Sequence, residues 1–243
     1  MEKIVIITGG SKGLGLGLAN EYHKNGYRVF SIARTKLKKT YSIEQFTCDL
    51  SAPETIESTL LEIFKQLNAE QTEIITLINN AGDLGEINSL DQLNATAISY
   101  TIQVNLAAPL VLSSLFIKFT KGWAAKKKII NISSGAAVNP YGSWAMYCAS
   151  KAGLDMVTKV IYKEQKSIKN GVKVVSIYPG IVDTNMQTKI RNTSKDQFKS
   201  VNRFINFFEK GELFTPEKVA EIIYNLDRSG ALKKGKIIDI RKL

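Results

Sequence analysis

The sequence predicts a single α/β domain over residues 1–243, built on a doubly wound parallel sheet of about seven strands with flanking helices. Seven short apolar runs rich in Ile and Val recur along the chain, most separated by a stretch that can hold a helix. That alternation is the pattern of βαβ units whose strands are buried on both faces. The first run passes directly into a glycine-rich turn, TGGSKGLGLG. No internal repeat or low-complexity linker divides the chain, and α/β folds of this length routinely form one domain.

The runs are KIVII (3–7), RVFSIA (28–33), EQFTCD (44–49), EIITLIN (73–79), KIINIS (128–133), VKVVSIY (172–178) and GKIIDI (235–240). Right-handed crossovers between them give an open, doubly wound topology. Ser51 or Pro53 starts a helix through ETIESTLLEIFKQL, and Thr215 with Pro216 gives TPEKVAEIIYNL an N-cap and a first helical position. Lys218 stands where a capping box would place Glu or Gln. Gly17, inside the first helix, weakens it by up to about 1 kcal/mol relative to Ala, a cost that close packing on the sheet would explain. Residues 183–213 are polar with aromatic insertions and follow a strand's C-terminal end, which suits a substrate-covering helical lid or a plain surface hairpin.

Composition excludes several chemistries. Only Cys48 and Cys148 occur, without metal spacing, and His23 is the sole histidine, so zinc chemistry and a histidine triad are disfavoured and no metal is expected. The net charge of +11 gathers in KLKK (36–39), KKK (126–128) and KKGK (233–236). These read as solvated loops at strand ends rather than a nucleic-acid surface, because no aromatic stacking pattern accompanies them. No apolar run reaches the roughly 18 residues of a membrane span, and the opening strand is a poor signal peptide; the expectation is a cytoplasmic enzyme.

Gly9, Gly13 and Gly15 follow the first strand in GxxxGxG spacing and open a helix. Glycines there let the backbone approach a pyrophosphate, whose charge is met by amides at the helix N-terminus. At the end of the second strand, where an acid would bond the ribose 2′-hydroxyl of NAD, the chain offers Ala33 and Arg34. Arg34 and Lys12 converge on a 2′-phosphate or are two exposed cations of a basic protein; the first reading makes the cofactor NADP(H).

Tyr147 and Lys151, at i and i+4, project from one helix face. A free phenol has a pKa of about 10, and an ammonium beside it favours phenolate, so Tyr147 becomes a candidate general acid for a carbonyl. Tyr162 and Lys166 repeat the spacing, but Ser134 lies thirteen residues before Tyr147 at a strand end, whereas Ala149 lies thirteen before Tyr162. Ser134 can hydrogen-bond the substrate oxygen; its neighbour Ser133 points to the opposite side by strand alternation.

TGGSKGLG, NNAG (79–82), Asn105, NISSG (131–135), YCASK (147–151) and YPGIVDT (178–184) occur in this order. In that set the chain resembles the short-chain dehydrogenases/reductases, over nearly its whole length. NPYGSWAMYCASKAG and GIVDTNMQTKIRNTSKDQF look most like the bacterial benzil reductases of that family, which form (S)-benzoin and in turn resemble sepiapterin reductases. The resemblance implies a Rossmann domain and an NADPH-dependent carbonyl reductase, with a vicinal aromatic diketone such as benzil as favoured substrate. It makes Tyr147 the acid/base, Lys151 its modulator and a donor to the nicotinamide ribose, Ser134 the substrate-orienting hydroxyl, and Asn105 the holder of a relay water; the residues alone would leave Asn105 an ordinary helix Asn.

The same resemblance puts Gly9, Ser11, Lys12, Gly13, Leu14, Gly15, Arg34 and Thr35 around the phosphates and adenosine ribose. Asp49 would bond the adenine amine beside Leu50, Asn80 and Gly82 would pass near the ribose, and Val182 and Thr184 would meet the carboxamide. Asn79 is expected to brace the sheet. Tyr141, Trp144, Phe204, Phe207 and Phe208 would frame an aryl pocket or fill core or a dimer interface. The resemblance further implies a homodimer or homotetramer through the helices carrying Asn105 and Tyr147, a small-molecule carbonyl substrate, and neither nucleic-acid nor membrane partners. Alternatives are a pterin reductase anchored by Asp183 or Asn185, a 3-oxoacyl-thioester reductase docking an acidic carrier, and a non-catalytic NADP-sensing regulator.

Overall fold

Strands β1 (Glu2–Thr8), β2 (Arg28–Ala33), β3 (Ile43–Thr47), β4 (Thr72–Asn79), β5 (Lys126–Ile132), β6 (Lys173–Tyr178) and β7 (Ile237–Asp239) form one sheet in the computed structural model of the chain. The model describes residues 1–36, 43–230, 232 and 235–243. Their order is β3-β2-β1-β4-β5-β6-β7 and every pairing is parallel. The chain therefore starts in mid-sheet, builds outward through β2 and β3, and returns to the other side of β1 at β4. That reversal opens a crevice above the C-terminal ends of β1 and β4.

Strand alternation sorts the core into two layers. Ile4 and Ile6 of β1 pack with Ile56 and Leu60 of α2 (Pro53–Phe64) and Leu112 and Phe116 of α4 (Ala108–Phe119). Val5 and Ile7 face the other way, onto Leu18 and Tyr22 of α1 (Gly13–Lys24) and Val219 and Ile223 of α8 (Pro216–Ser229). A third apolar cluster sits over the crevice, where Trp144 and Tyr147 meet Ile190, Phe198 and Phe204. Thr215 caps α8 by accepting from Lys218 N at 3.2 Å, and Pro216 occupies its first turn, as the sequence predicts.

Several expectations are corrected. The third strand ends at Thr47 rather than 49, because the Asp49 carboxylate turns the chain by accepting from Ser51 N and Oγ at 3.0 and 2.8 Å. β7 stops at Asp239, which caps a 3₁₀ turn by accepting from Arg241 N. KKK (126–128) opens β5 instead of a loop. Lys127 is buried and donates to Trp123 O at 2.7 Å, while Lys128 Nζ lies 2.6 Å from Asp227 Oδ1. Tyr22 donates to the other oxygen of that buried carboxylate, so one acid ties α8 to both α1 and β5. The basic residues at 38–39 and 233–234 lie outside the described residues.

Residues Ala95–Phe119 run as one helix through α3 (Ala95–Ile102), a π turn (Gln103–Ala107) and α4. By length and composition this run could cross a membrane, contrary to the expectation that none would, yet its apolar side belongs to the core under the sheet.

Gly17 faces α8, not the sheet: a Cβ there would lie 2.8 Å from Pro216 O. Gly17→Ala therefore lowers the melting temperature, although in an unobstructed helix the change would add up to about 1 kcal/mol. Thermal unfolding followed by circular dichroism measures it, and a raised melting temperature would show that α8 yields.

Candidate active site

The crevice is a cavity of about 1100 Å³ running from the glycine turn, past the ends of β1, β4 and β5, to the helices after β6. Its phosphate end is shaped by absent side chains. Gly9 and Gly13 hold positive φ of 69° and 51°, the left-handed region that side chains resist. A Cβ on Gly15 would stand 2.1 Å from Gly9 O, so nothing larger than hydrogen fits where helix meets turn. Backbone at this spacing, at a helix N-terminus, is a cradle fitted to a pyrophosphate.

Every residue assigned to the cofactor from the sequence lines this one cavity: Gly9, Ser11, Lys12, Gly13, Leu14 and Gly15, then Arg34, Thr35, Asp49, Leu50, Asn80 and Gly82, with Tyr147, Lys151, Val182 and Thr184 further along. Two have further duties. Asn80 donates from Nδ2 to Thr8 O at 2.9 Å, fastening the end of β4 to β1. Arg34 donates to the Tyr100 hydroxyl at 2.7 Å, a partner from α3 that no local pattern announces. The Asp49 carboxyl is held below its ordinary range by its bonds from Ser51, with Arg34 adding to the effect.

At the other end α5 (Ala145–Gln165) carries Tyr147 and Lys151 one turn apart, 8% and 4% exposed. Ser143, at φ +69°, makes the left-handed turn before Trp144 from which the helix starts. Ser134 leaves β5 extended, at φ −159°; its hydroxyl accepts from Ala136 N at 3.1 Å and acts on the Tyr147 phenol, lowering its pKa. Ser133 points away, with its hydroxyl on Lys151 O. Lys151 Nζ donates to Ile132 O at 2.8 Å and stands 5.8 Å from the Tyr147 ring centre.

Burial dominates both titrations. It pushes the Tyr147 phenol up to about 12, against the bond to Ser134, and pulls Lys151 down to about 8, against the Asp155 carboxylate. The expected lowering of the phenol by Lys151 is not found: desolvation raises it, and the group that opposes the rise is Ser134. Asp155, one further turn along α5, accepts from the Tyr178 hydroxyl at 2.5 Å, and its other oxygen has no partner.

Asn105 does not line the cavity. It sits wholly buried in the π turn, accepting from Asp83 N at 2.8 Å and donating to Asp83 O at 2.7 Å and Ser150 Oγ at 3.1 Å. A Cβ on Gly82 would come within 3.5 Å of Lys151 Nζ and 3.6 Å of Asn105 Oδ1, so Gly82 lies beside both the lysine that lines the cavity and the amide that does not. Asn79 bridges Ser113 and Asn131 inside the sheet layer, as expected.

The substrate end is aromatic. Trp144 stacks on Phe198 with centroids 4.9 Å apart and lies 4.8 Å from Tyr141. Two helices from the 183–213 segment, α6 (Asn185–Arg191) and α7 (Val201–Glu209), cover it with Phe204 and Phe207. Phe208 is excluded from that frame: it is 51% exposed and lies under the Arg191 guanidinium. Arg203 and Arg241 reach the cavity from α7 and the C-terminal turn, neither signalled by a motif. Among the described residues no cluster could hold a metal.

Residues 3–195 match the family model described as short chain dehydrogenase. The chain belongs to the short-chain dehydrogenase family. It is 38% identical over 98% of its length to a benzil reductase ((S)-benzoin forming) of Bacillus cereus and 37% identical over 99% to one of Bacillus subtilis (strain 168), covering 99% of each. The crystal structure of KRED1-Pglu superposes with a TM-score of 0.85 at 26% identity, over 97% of this chain and 99% of that one. As a short-chain dehydrogenase the protein is an oxidoreductase that acts on carbonyl or hydroxyl groups of small molecules with a nicotinamide cofactor.

Burying Lys151 has a stability signature. Its pKa is about 8 folded against 10.5 in the ordinary state, so the unfolded chain binds more protons between those values, and the cost is full below pH 8 and gone above 10.5. Lys151→Met therefore raises the melting temperature at pH 7, by an amount that shrinks toward pH 10.5. A gain that did not change with pH would mean that Lys151 keeps an ordinary pKa.

Proposed function

We propose that this short-chain dehydrogenase is an NADPH-dependent reductase of aromatic vicinal diketones, turning benzil into (S)-benzoin. The observation that carries the reading is buried Tyr147 and Lys151, with Ser134 beside the phenol, at the aromatic end of a cavity whose other end is the glycine cradle. The likeness to two Bacillus benzil reductases supports the substrate. Arg34, with no acid beside it on β2, supports the 2′-phosphate of NADPH.

Bound NADPH would supply hydride to the ketone carbon. Tyr147, neutral at physiological pH because burial holds its pKa high, gives its proton to the ketone oxygen as charge develops there. Ser134 orients the same oxygen. Lys151, protonated below about pH 8, stabilises the phenolate left behind. Asn105 fixes the loop at Asp83 and Gly82 through which a water chain would return the proton. Gly9 to Gly15 hold the pyrophosphate, Val182 and Thr184 the carboxamide. Of the two anchors for the pterin alternative, Asp183 lies 3.9 Å from Arg191, while Asn185 lines the cavity as an amide. Leu110, Met156 and Val160, exposed on α4 and α5, offer the apolar face of a homodimer or homotetramer.

Oxidation of NADPH by benzil, followed by absorbance, tests the reading together with chiral chromatography of the product. Wild type forms (S)-benzoin, and Tyr147→Phe loses about 10²–10⁴ in kcat/KM. Undiminished turnover by Tyr147→Phe would overturn the site; reduction of other ketones but not benzil would overturn the substrate.

The pH profile follows from the lysine. kcat/KM for reduction is level near neutrality and falls above an apparent pKa of about 8, as Lys151 loses its proton. Asp155 raises that pKa, so Asp155→Asn moves the falling limb to lower pH, a shift that loss of folded enzyme alone would not produce.

A further inference from the structure

The substrate end presents hydrogen-bond donors without matching acceptors. Trp144 is 95% buried, and its Nε1 is buried with no partner. An unsatisfied buried donor costs about 1–3 kcal/mol, and this one is closed off within the wall. Arg203 lies over the Phe207 ring at 5.5 Å and reaches the Tyr141 hydroxyl only at 3.5 Å. Among the described residues no carboxylate pairs with it. Tyr141 in turn packs against Trp144, so guanidinium, phenol and indole form one continuous wall.

Charge at this end is cationic. Arg241 is neutralised by a two-point grip on Asp239, at 3.0 and 2.7 Å. Lys189 meets only a backbone carbonyl, Gly85 O at 2.9 Å. Of the acids lining the cavity, Asp49 lies beside Arg34 at the adenine end, Asp83 accepts from Gly85 N, and Asp183 faces Arg191. Arg203 and Lys189 are thus left as uncompensated positive charge beside the aromatic wall.

We infer that the preferred substrate is an aryl carbonyl compound bearing a carboxylate, which Arg203 receives on the aromatic wall while the ketone lies at Ser134 and Tyr147. The inference rests on the proposed carbonyl reduction and narrows its substrate class. A guanidinium braced on a ring keeps its planar fork open to a carboxylate, and the charge-assisted pair is stronger than a neutral one. A neutral diketone would bind the ring contacts but leave Arg203 unpaired.

Benzil carrying a 4-carboxylate and its methyl ester separate charge from shape. Calorimetry with wild type and Arg203→Gln, loaded with NADP⁺, reads affinity without turnover. The acid binds wild type about ten-fold more tightly than the ester, and in Arg203→Gln the ratio falls to about one. The preference also weakens as salt rises from low ionic strength, because the site opens to solvent. Equal affinities in wild type, or a preference that persists in Arg203→Gln, would overturn the inference. Turnover of benzil by wild type is scored separately: its absence counts against the diketone reading, whereas the acid-to-ester ratio judges the carboxylate subsite by itself.

Discussion

The site depends on one unfavourable placement, an ammonium group 96% removed from solvent at the C-terminal edge of a parallel sheet. A buried cation is retained only where acceptors replace its lost water. Lys151 has the Ile132 carbonyl at 2.8 Å, freed because β5 ends there and the chain turns away through Ser133 and Ser134. Asp155, a turn along the same helix, lends opposite charge from within α5 itself. Helix spacing that brings Tyr147 to the cavity thus also places the acid that keeps Lys151 charged. The arrangement lowers the lysine to about 8 rather than neutralising it outright, leaving a proton that can be held or released near physiological pH.

Around that lysine the fold supplies geometry through small residues more than through contacts. The reversal between β1 and β4 makes the crevice, but its width is set where Gly15 meets Gly9 O and where Gly82 admits Lys151 and Asn105 together. At Gly15 a Cβ would collide with the backbone of the turn itself, whereas at Gly82 it would only reach contact distance of the two side chains. Thr8 fixes the two halves of the crevice, accepting at its hydroxyl from Asn80 N and Ala81 N, both at 3.0 Å. Together with the β1–β4 pairing, these bonds hold the phosphate and chemical ends in register.

Much of this was legible because the informative signals are local. Strands β1, β2, β4 and β6 follow from short apolar runs, and Tyr147, Lys151 and Ser134 follow from helix spacing and a strand end. The misses have a common physical cause, since each depends on partners distant in sequence. Tyr100 meets Arg34 from 66 residues away, and Arg203 and Arg241 reach the substrate end from segments with no motif. Gly17 reads as a helix defect until Pro216 O is placed against it, and KKK reads as surface until Asp227 and Trp123 O account for two of its lysines. Asn105 was known from resemblance, but the π turn that presents it has no pattern in QVNLA. Its extra residue per turn changes the helix phase between α3 and α4, so that Asn105 faces Asp83 and Ser150.

The phenol and the lysine show why pairwise reasoning from spacing stops short. From i and i+4 alone, an ammonium lowers a neighbouring phenol; in the folded cavity, desolvation acts on both and moves them apart, to about 12 and about 8. That separation suits reduction. A phenol that stays protonated is a ready donor, and a lysine close to its own pKa can replace the proton without forming a deep ion pair that would trap the phenolate. Ser134 opposes desolvation at Tyr147, so the hydroxyl proposed to orient a ketone also tunes the acid proposed to protonate it. Removing either group changes the electrostatics of the other, and the effects of single substitutions at Ser134, Tyr147 and Lys151 are accordingly non-additive.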